Sequence, residues 1–184
     1  MKKFKLYNLV LSGMIAALYA GITYAFGSLS YWNGLFQIRP AEALTILPLL
    51  FIEAVPGLFI GCMLANIMST FGIMDIVLGS LITLVAAILT RLLKKVQLGV
   101  IPPIILNAAL LPLVFMLAGE SILYWEMFIS LFLTQSIWII GLGIPLFYSV
   151  KKLKPMLYKN FENRHKKVEL ENDDESQNKD IGDI

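Results

Sequence analysis

Six apolar runs, at residues 7–26, 40–54, 57–71, 75–94, 99–118 and 125–149, crowd the first 150 positions and dictate the class of fold. The longer ones match the about 20 apolar residues that an α-helix needs to cross the hydrocarbon of a bilayer. The runs are continuous, not alternating, which excludes half-buried strands. Composition agrees: 58% of the 184 residues are hydrophobic, against about 45–50% in a soluble domain. The expected fold is an all-α membrane protein with six transmembrane helices over residues 1–154. A charged tail follows at 155–184. The second and third runs are short, and Val55-Pro56-Gly57 reads as the break between them. Asp75 suits a helix cap, and Pro102-Pro103 suits a helix start.

Charge sets the expected orientation. Up to Val150 the cations are Lys2, Lys3, Lys5, Arg39, Arg91, Lys94 and Lys95. With six spans, the clusters Lys2–Lys5, Arg91–Lys95 and Lys151–Lys154 fall on one side. The positive-inside rule makes that side cytoplasmic, with both termini in the cytoplasm of a multi-pass cell-membrane protein. A re-entrant pair formed by the second and third runs would leave this orientation unchanged. The tail is basic first (Lys159, Arg164, Lys166, Lys167), suiting anionic lipid headgroups, and acidic later (Glu169 to Glu175), which suits disorder. The N-terminal lysines followed by an apolar run imitate a signal peptide. Nothing downstream reads as a soluble secreted domain, so the run is taken as a retained first span.

Several functions are disfavoured. The formal net charge of +2 does not suggest nucleic acid. One cysteine, Cys62, allows neither an internal disulfide nor a cysteine-cluster metal site. The single histidine, His165, lies in the tail, so no base or metal ligand of that type stands in the spans. There is no GxxxxGK[ST], GxSxG or HExxH pattern. No metal or cofactor is expected, and transport or ligand binding is favoured over catalysis.

Ionisable and amide groups within membrane runs then become the candidates. Glu42 lies in the first turn after Pro40, where helix polarity favours a carboxylate, and three residues after Arg39. An ion pair between these two would explain how they are tolerated but not why both are present. Around them lie Tyr31, Trp32, Phe36 and Gln37, while Tyr124 and Trp125 flank the last span near Glu120. Interfacial aromatics suit a membrane belt, but the combination also suits a flat, hydrogen-bonding heterocycle. Asn66, Asn107 and Gln135 fit either interhelical hydrogen bonds or a ligand. The first span carries two small-residue ladders, Ser12-Ala16-Ala20 and Gly13-Ala17-Gly21-Ala25. Their spacing is compatible with packing inside the bundle and with docking to a separate membrane subunit.

The order Gln37-Ile38-Arg39-Pro40-Ala41-Glu42-Ala43-Leu44, then Pro48, Pro56-Gly57, Gly61-Cys62, Ala65-Asn66, Gly72, Asp75, Gly79 and Thr83-Leu84 resembles the QueT family. These are substrate-binding S-components of energy-coupling factor (ECF) transporters, associated with uptake of queuosine precursors. The resemblance covers about residues 7–95; Ile82 departs from an expected alanine, and the later spans agree mainly in hydropathy. It implies a six-helix S-component that topples in the membrane and works with a T-component and two cytosolic ATPase subunits. The missing phosphate loop is then accounted for. It makes Gly13, Ala16, Ala17, Ala20 and Gly21 candidates for T-component docking. For a 7-deazaguanine, it suggests Glu42 as acceptor of a ring N–H and exocyclic amine. Arg39, Gln37 or Asn66 would donate to the ring carbonyl, Trp32 or Trp125 would stack, and Asp75 or Glu120 would pair with any amine cation. Alternatives are an S-component for another vitamin or purine-like compound, or a self-sufficient dimeric transporter. A membrane enzyme ranks below both.

Overall fold

The computed structural model describes residues 3–27 and 38–156, and these contain helices and no strand. Helix α1 is Lys3–Phe26, followed by a 3-10 helix at Pro40–Leu49 and by α2 at Ala54–Asn66. Three longer helices complete the order: α3 at Gly72–Leu93, α4 at Val96–Leu117 and α5 at Tyr124–Met156. The chain divides into two compact units, Met1–Phe147 and Tyr148–Ile184, and the described part of the second, to Met156, is helical.

Among the described residues, four helical stretches are long and apolar enough to cross a membrane: Tyr7–Phe26 within α1, and all of α3, α4 and α5. The other two are short. Ten residues of 3-10 helix and thirteen of α-helix each rise about 20 Å, below the ~30 Å of bilayer hydrocarbon. The break between them also differs from the expected one. It falls at residues 50–53, so Pro56 sits in the first turn of α2, where its missing N–H costs nothing.

The 3-10 helix is the centre of the bundle: every residue from Pro40 to Pro48 is buried, among α1, α3 and the turn of α5 around Gly143. Pro40 opens it, and Pro48 lies near its end, where α-winding would set the ring against the Leu44 carbonyl. With three residues per turn, Arg39, Glu42, Thr45 and Pro48 form one column. Thr45 Oγ1 donates back to the Glu42 carbonyl at 2.6 Å. At the far end Arg91 Nη1 donates to the Pro48 and Leu49 carbonyls at 3.0 and 3.3 Å, capping groups the helix leaves unpaired. A similar repair occurs in α4. Pro103 has no N–H for the Gly99 carbonyl, and Thr90 Oγ1 donates to it at 3.0 Å.

Two long helices contain a wider π turn, Asp75–Gly79 in α3 and Ile139–Gly143 in α5. Such turns insert a residue without ending the helix. A separate apolar core lies between α3, α4 and α5, where Phe71 and Phe115 stack with ring centroids 3.9 Å apart.

Helices α1 and α2 meet unusually closely. A Cβ at Gly57 would lie 2.7 Å from the Ser12 carbonyl oxygen, and one at Gly61 would lie 2.9 Å from that of Ala16. The Ser12-Ala16-Ala20 ladder is therefore buried against α2 by the chain itself. Replacing Gly61 with leucine should force the helices apart and lower stability by ~1–3 kcal/mol. Chemical unfolding in detergent reads this directly, and a wild-type stability would contradict the close packing.

Candidate functional site

The central column places charge where no lipid or water reaches it. Glu42 is 1% exposed and Asp75 0%. Two hydrogen-bonded groups form around them, one on each carboxylate.

Around Glu42, the Tyr19 hydroxyl of α1 donates to Oε1 at 2.8 Å, and Asn107 Nδ2 of α4 donates to Oε2 at 3.3 Å. The side chain of Gln135, on α5, stands beside this carboxylate. Three helices thus converge on one group of the 3-10 helix. Around Asp75, Ser69 Oγ donates to Oδ2 at 2.6 Å, and Arg39 Nη2 lies 3.7 Å from the same oxygen as an ion pair. Asn66 Nδ2 donates to the Asp75 backbone carbonyl at 2.9 Å. The Cys62 sulfur accepts from Thr83 Oγ1 at 3.3 Å and from Asn66 Nδ2 at 3.6 Å, which makes the thiol a packing and acceptor group here. Arg39 and Glu42 stand one 3-10 turn apart, so the column joins the two groups.

Three buried oxygens lack a hydrogen-bond donor among the described residues: Asp75 Oδ1, Asn107 Oδ1 and Gln135 Oε1. Asp75 and Asn107 are already held by the network through their other atoms. A buried polar atom without a partner normally costs about 1–3 kcal/mol. Their common character is that they accept.

Sequence reasoning brought forward Arg39, Glu42, Asn66 and Asp75 as binding candidates, with Asn107 and Gln135 as ligand or interhelical groups, and all six are buried here. The cap role expected of Asp75 is not observed, because the helix starts at Gly72 and the carboxylate turns to Ser69 and Arg39. Trp125 is 69% exposed and packs edge-on against Tyr124 and Phe128, outside the cluster. Glu120 is half-buried in the turn between α4 and α5 and takes no part in the hydrogen bonds above. Gln37 and Trp32, with the tail, lie outside the described residues. Of the docking candidates, Ala16 and Ala20 are buried against α2, whereas Gly13, Ala17 and Gly21 are exposed on the other side of α1. Tyr19, Ser69 and Thr83 were missed. Tyr19 had a signal: it lies three residues after Ala16 and one before Ala20, on the face that packs inward.

The model of a family described as "QueT transporter" matches residues 9–152. No curated protein and no solved structure matches the chain.

Breaking the Arg39–Asp75 pair from one side leaves a buried charge. Arg39→Met should therefore lower stability by ~3–5 kcal/mol, with Arg39→Met/Asp75→Leu recovering most of the loss. Unfolding in detergent measures both. A single variant as stable as wild type would mean that the pair is not buried as described.

Proposed function

The chain belongs to the QueT transporter family, and from that premise we propose that it is the substrate-binding S-component of an ECF importer for a queuosine precursor. In this reading the six helices sit in the cell membrane with both termini cytoplasmic. The ligand, a 7-deazaguanine, is captured from outside and delivered inward with a T-component and two cytosolic ATPase subunits.

The observation that carries the reading is the set of buried acceptors without donors, Asn107 Oδ1 and Gln135 Oε1 near Glu42 and Asp75 Oδ1 beyond Arg39. A 7-deazaguanine is rich in donors: a ring N–H, an exocyclic amine and a pyrrole N–H. A carboxylate offers about four acceptor positions, of which Tyr19 and Asn107 use two. Glu42 thus keeps capacity for the guanine-like edge, and Asn107 Oδ1 and Gln135 Oε1 take neighbouring donors. Arg39 supplies the donor for the ring carbonyl.

Charge refines the choice among precursors. The ionisable side chains buried in the cluster are Arg39, Glu42 and Asp75, one basic against two acidic. A buried charge without a counter-ion is costly. An aminomethyl-bearing precursor brings the missing cation, and Asp75 is the group placed to meet it. Stacking is not assigned to Trp125, which faces outward. The exposed ladder of Gly13, Ala17 and Gly21 is the surface of α1 left for the T-component, because α2 already covers Ala16 and Ala20.

Glu42→Gln keeps the shape of the side chain but removes its charge and half its acceptor capacity. Losing one partner of a buried charged hydrogen bond costs ~2–5 kcal/mol, or roughly 30- to 5000-fold in affinity. Calorimetry with 7-aminomethyl-7-deazaguanine should show that loss in a variant that remains folded. Unchanged affinity would remove Glu42 from the site.

A further inference from the structure

The π turn of α3 ends on Gly79, four residues after Asp75. This wider winding brings the two positions nearly one above the other. A Cβ built on Gly79 would collide with Asp75 Oδ1 and would come within 3.0 Å of Asn66 Nδ2. The space a side chain would fill is thus taken by a carboxylate oxygen. The other oxygen, Oδ2, is fixed by Ser69 and faces Arg39, so the carboxylate cannot turn away without giving up one of them. Asp75 is fully buried, and Oδ1 has no donor among the described residues. Gly79 leaves Oδ1 in place, buried and open to accept.

We propose that Gly79 is a specificity-determining positioning residue: by having no side chain, it holds Asp75 Oδ1 where it accepts the amine of a cationic ligand. The inference rests on the transport reading above but concerns a different residue and a different part of the ligand. Glu42 reads the heterocyclic edge, and Gly79, through Asp75, selects for the amine. Alanine at 79 forces the carboxylate to rotate and shifts the Asn66 amide. Affinity for the amine then falls while the edge contacts persist.

The test is calorimetry on the full-length protein in detergent with two probes, 7-aminomethyl-7-deazaguanine and 7-deazaguanine without the amine. Gly79→Ala should weaken the first by at least about 10-fold, as expected for a lost hydrogen bond to a charged group, and the second by no more than about 3-fold. Asp75→Ser shortens the side chain and clears the space above Gly79. It should weaken the amine-bearing probe more than the probe without the amine, and adding Gly79→Ala to it should cost the amine-bearing probe no more than about 3-fold further, because only the approach to Asn66 Nδ2 remains. Either variant series suffices alone if the other fails to fold. Equal losses for both probes, or a full additional loss from Gly79→Ala in the Asp75→Ser background, would overturn the inference and leave the transport reading standing. Failure of the wild-type protein to bind either probe would instead overturn the transport reading, and the role of Gly79 with it.

Discussion

Everything in this bundle is arranged around the burial of the Glu42 carboxylate on a short helix that touches no lipid. A carboxylate inside a membrane protein needs donors from several directions at once. Tyr19 and Asn107 supply them from α1 and α4, and Gln135 of α5 stands beside the group. That requirement brings the N-terminal and C-terminal halves of the chain to one point. The 3-10 winding matters for the same reason. It stacks Arg39 over Glu42, so the second carboxylate, Asp75, joins through the arginine.

The short second and third helices follow from this centre. A helix of ~20 Å cannot span the hydrocarbon alone, but one surrounded by longer helices has no need to. Because the 3-10 helix is buried along its length, its sequence is free to carry Glu42 and two prolines without exposing unpaired backbone to lipid. Its end carbonyls are met by Arg91. Helix α2, drawn close to α1 through Gly57 and Gly61, covers one face of α1 and leaves Gly13, Ala17 and Gly21 exposed. The two ladders visible in the sequence therefore have different fates, one internal and one outward.

Much of this was legible before any coordinates. The six helices follow from hydropathy in number and order, although the second and third end five residues earlier than expected and the last runs on to Met156. Arg39, Glu42, Asn66 and Asp75 stood out because polar groups in apolar runs need a reason. What the sequence could not convey was winding and pairing. Nothing in a hydropathy pattern distinguishes a 3-10 helix from an α-helix at Pro40–Leu49, or marks a π turn at Asp75–Gly79. Arg39 and Glu42 looked like mutual partners because they are close in sequence. The partners of Glu42 instead come from 23 and 65 residues away. Tyr19 was overlooked for a related reason, since a tyrosine in a membrane helix reads as an ordinary amphipathic residue until its hydroxyl is seen to meet a carboxylate.

The central claim is that this buried, acceptor-rich cluster, with two acidic side chains and one basic, is a binding site for one donor-rich, cationic heterocycle. Native mass spectrometry of the purified protein, with the released small molecule identified, tests it most directly. The account predicts one bound molecule per chain with the mass of an amine-bearing 7-deazaguanine. A neutral or anionic ligand of another class recovered in its place, or a protein that stays empty when that compound is supplied, would contradict it.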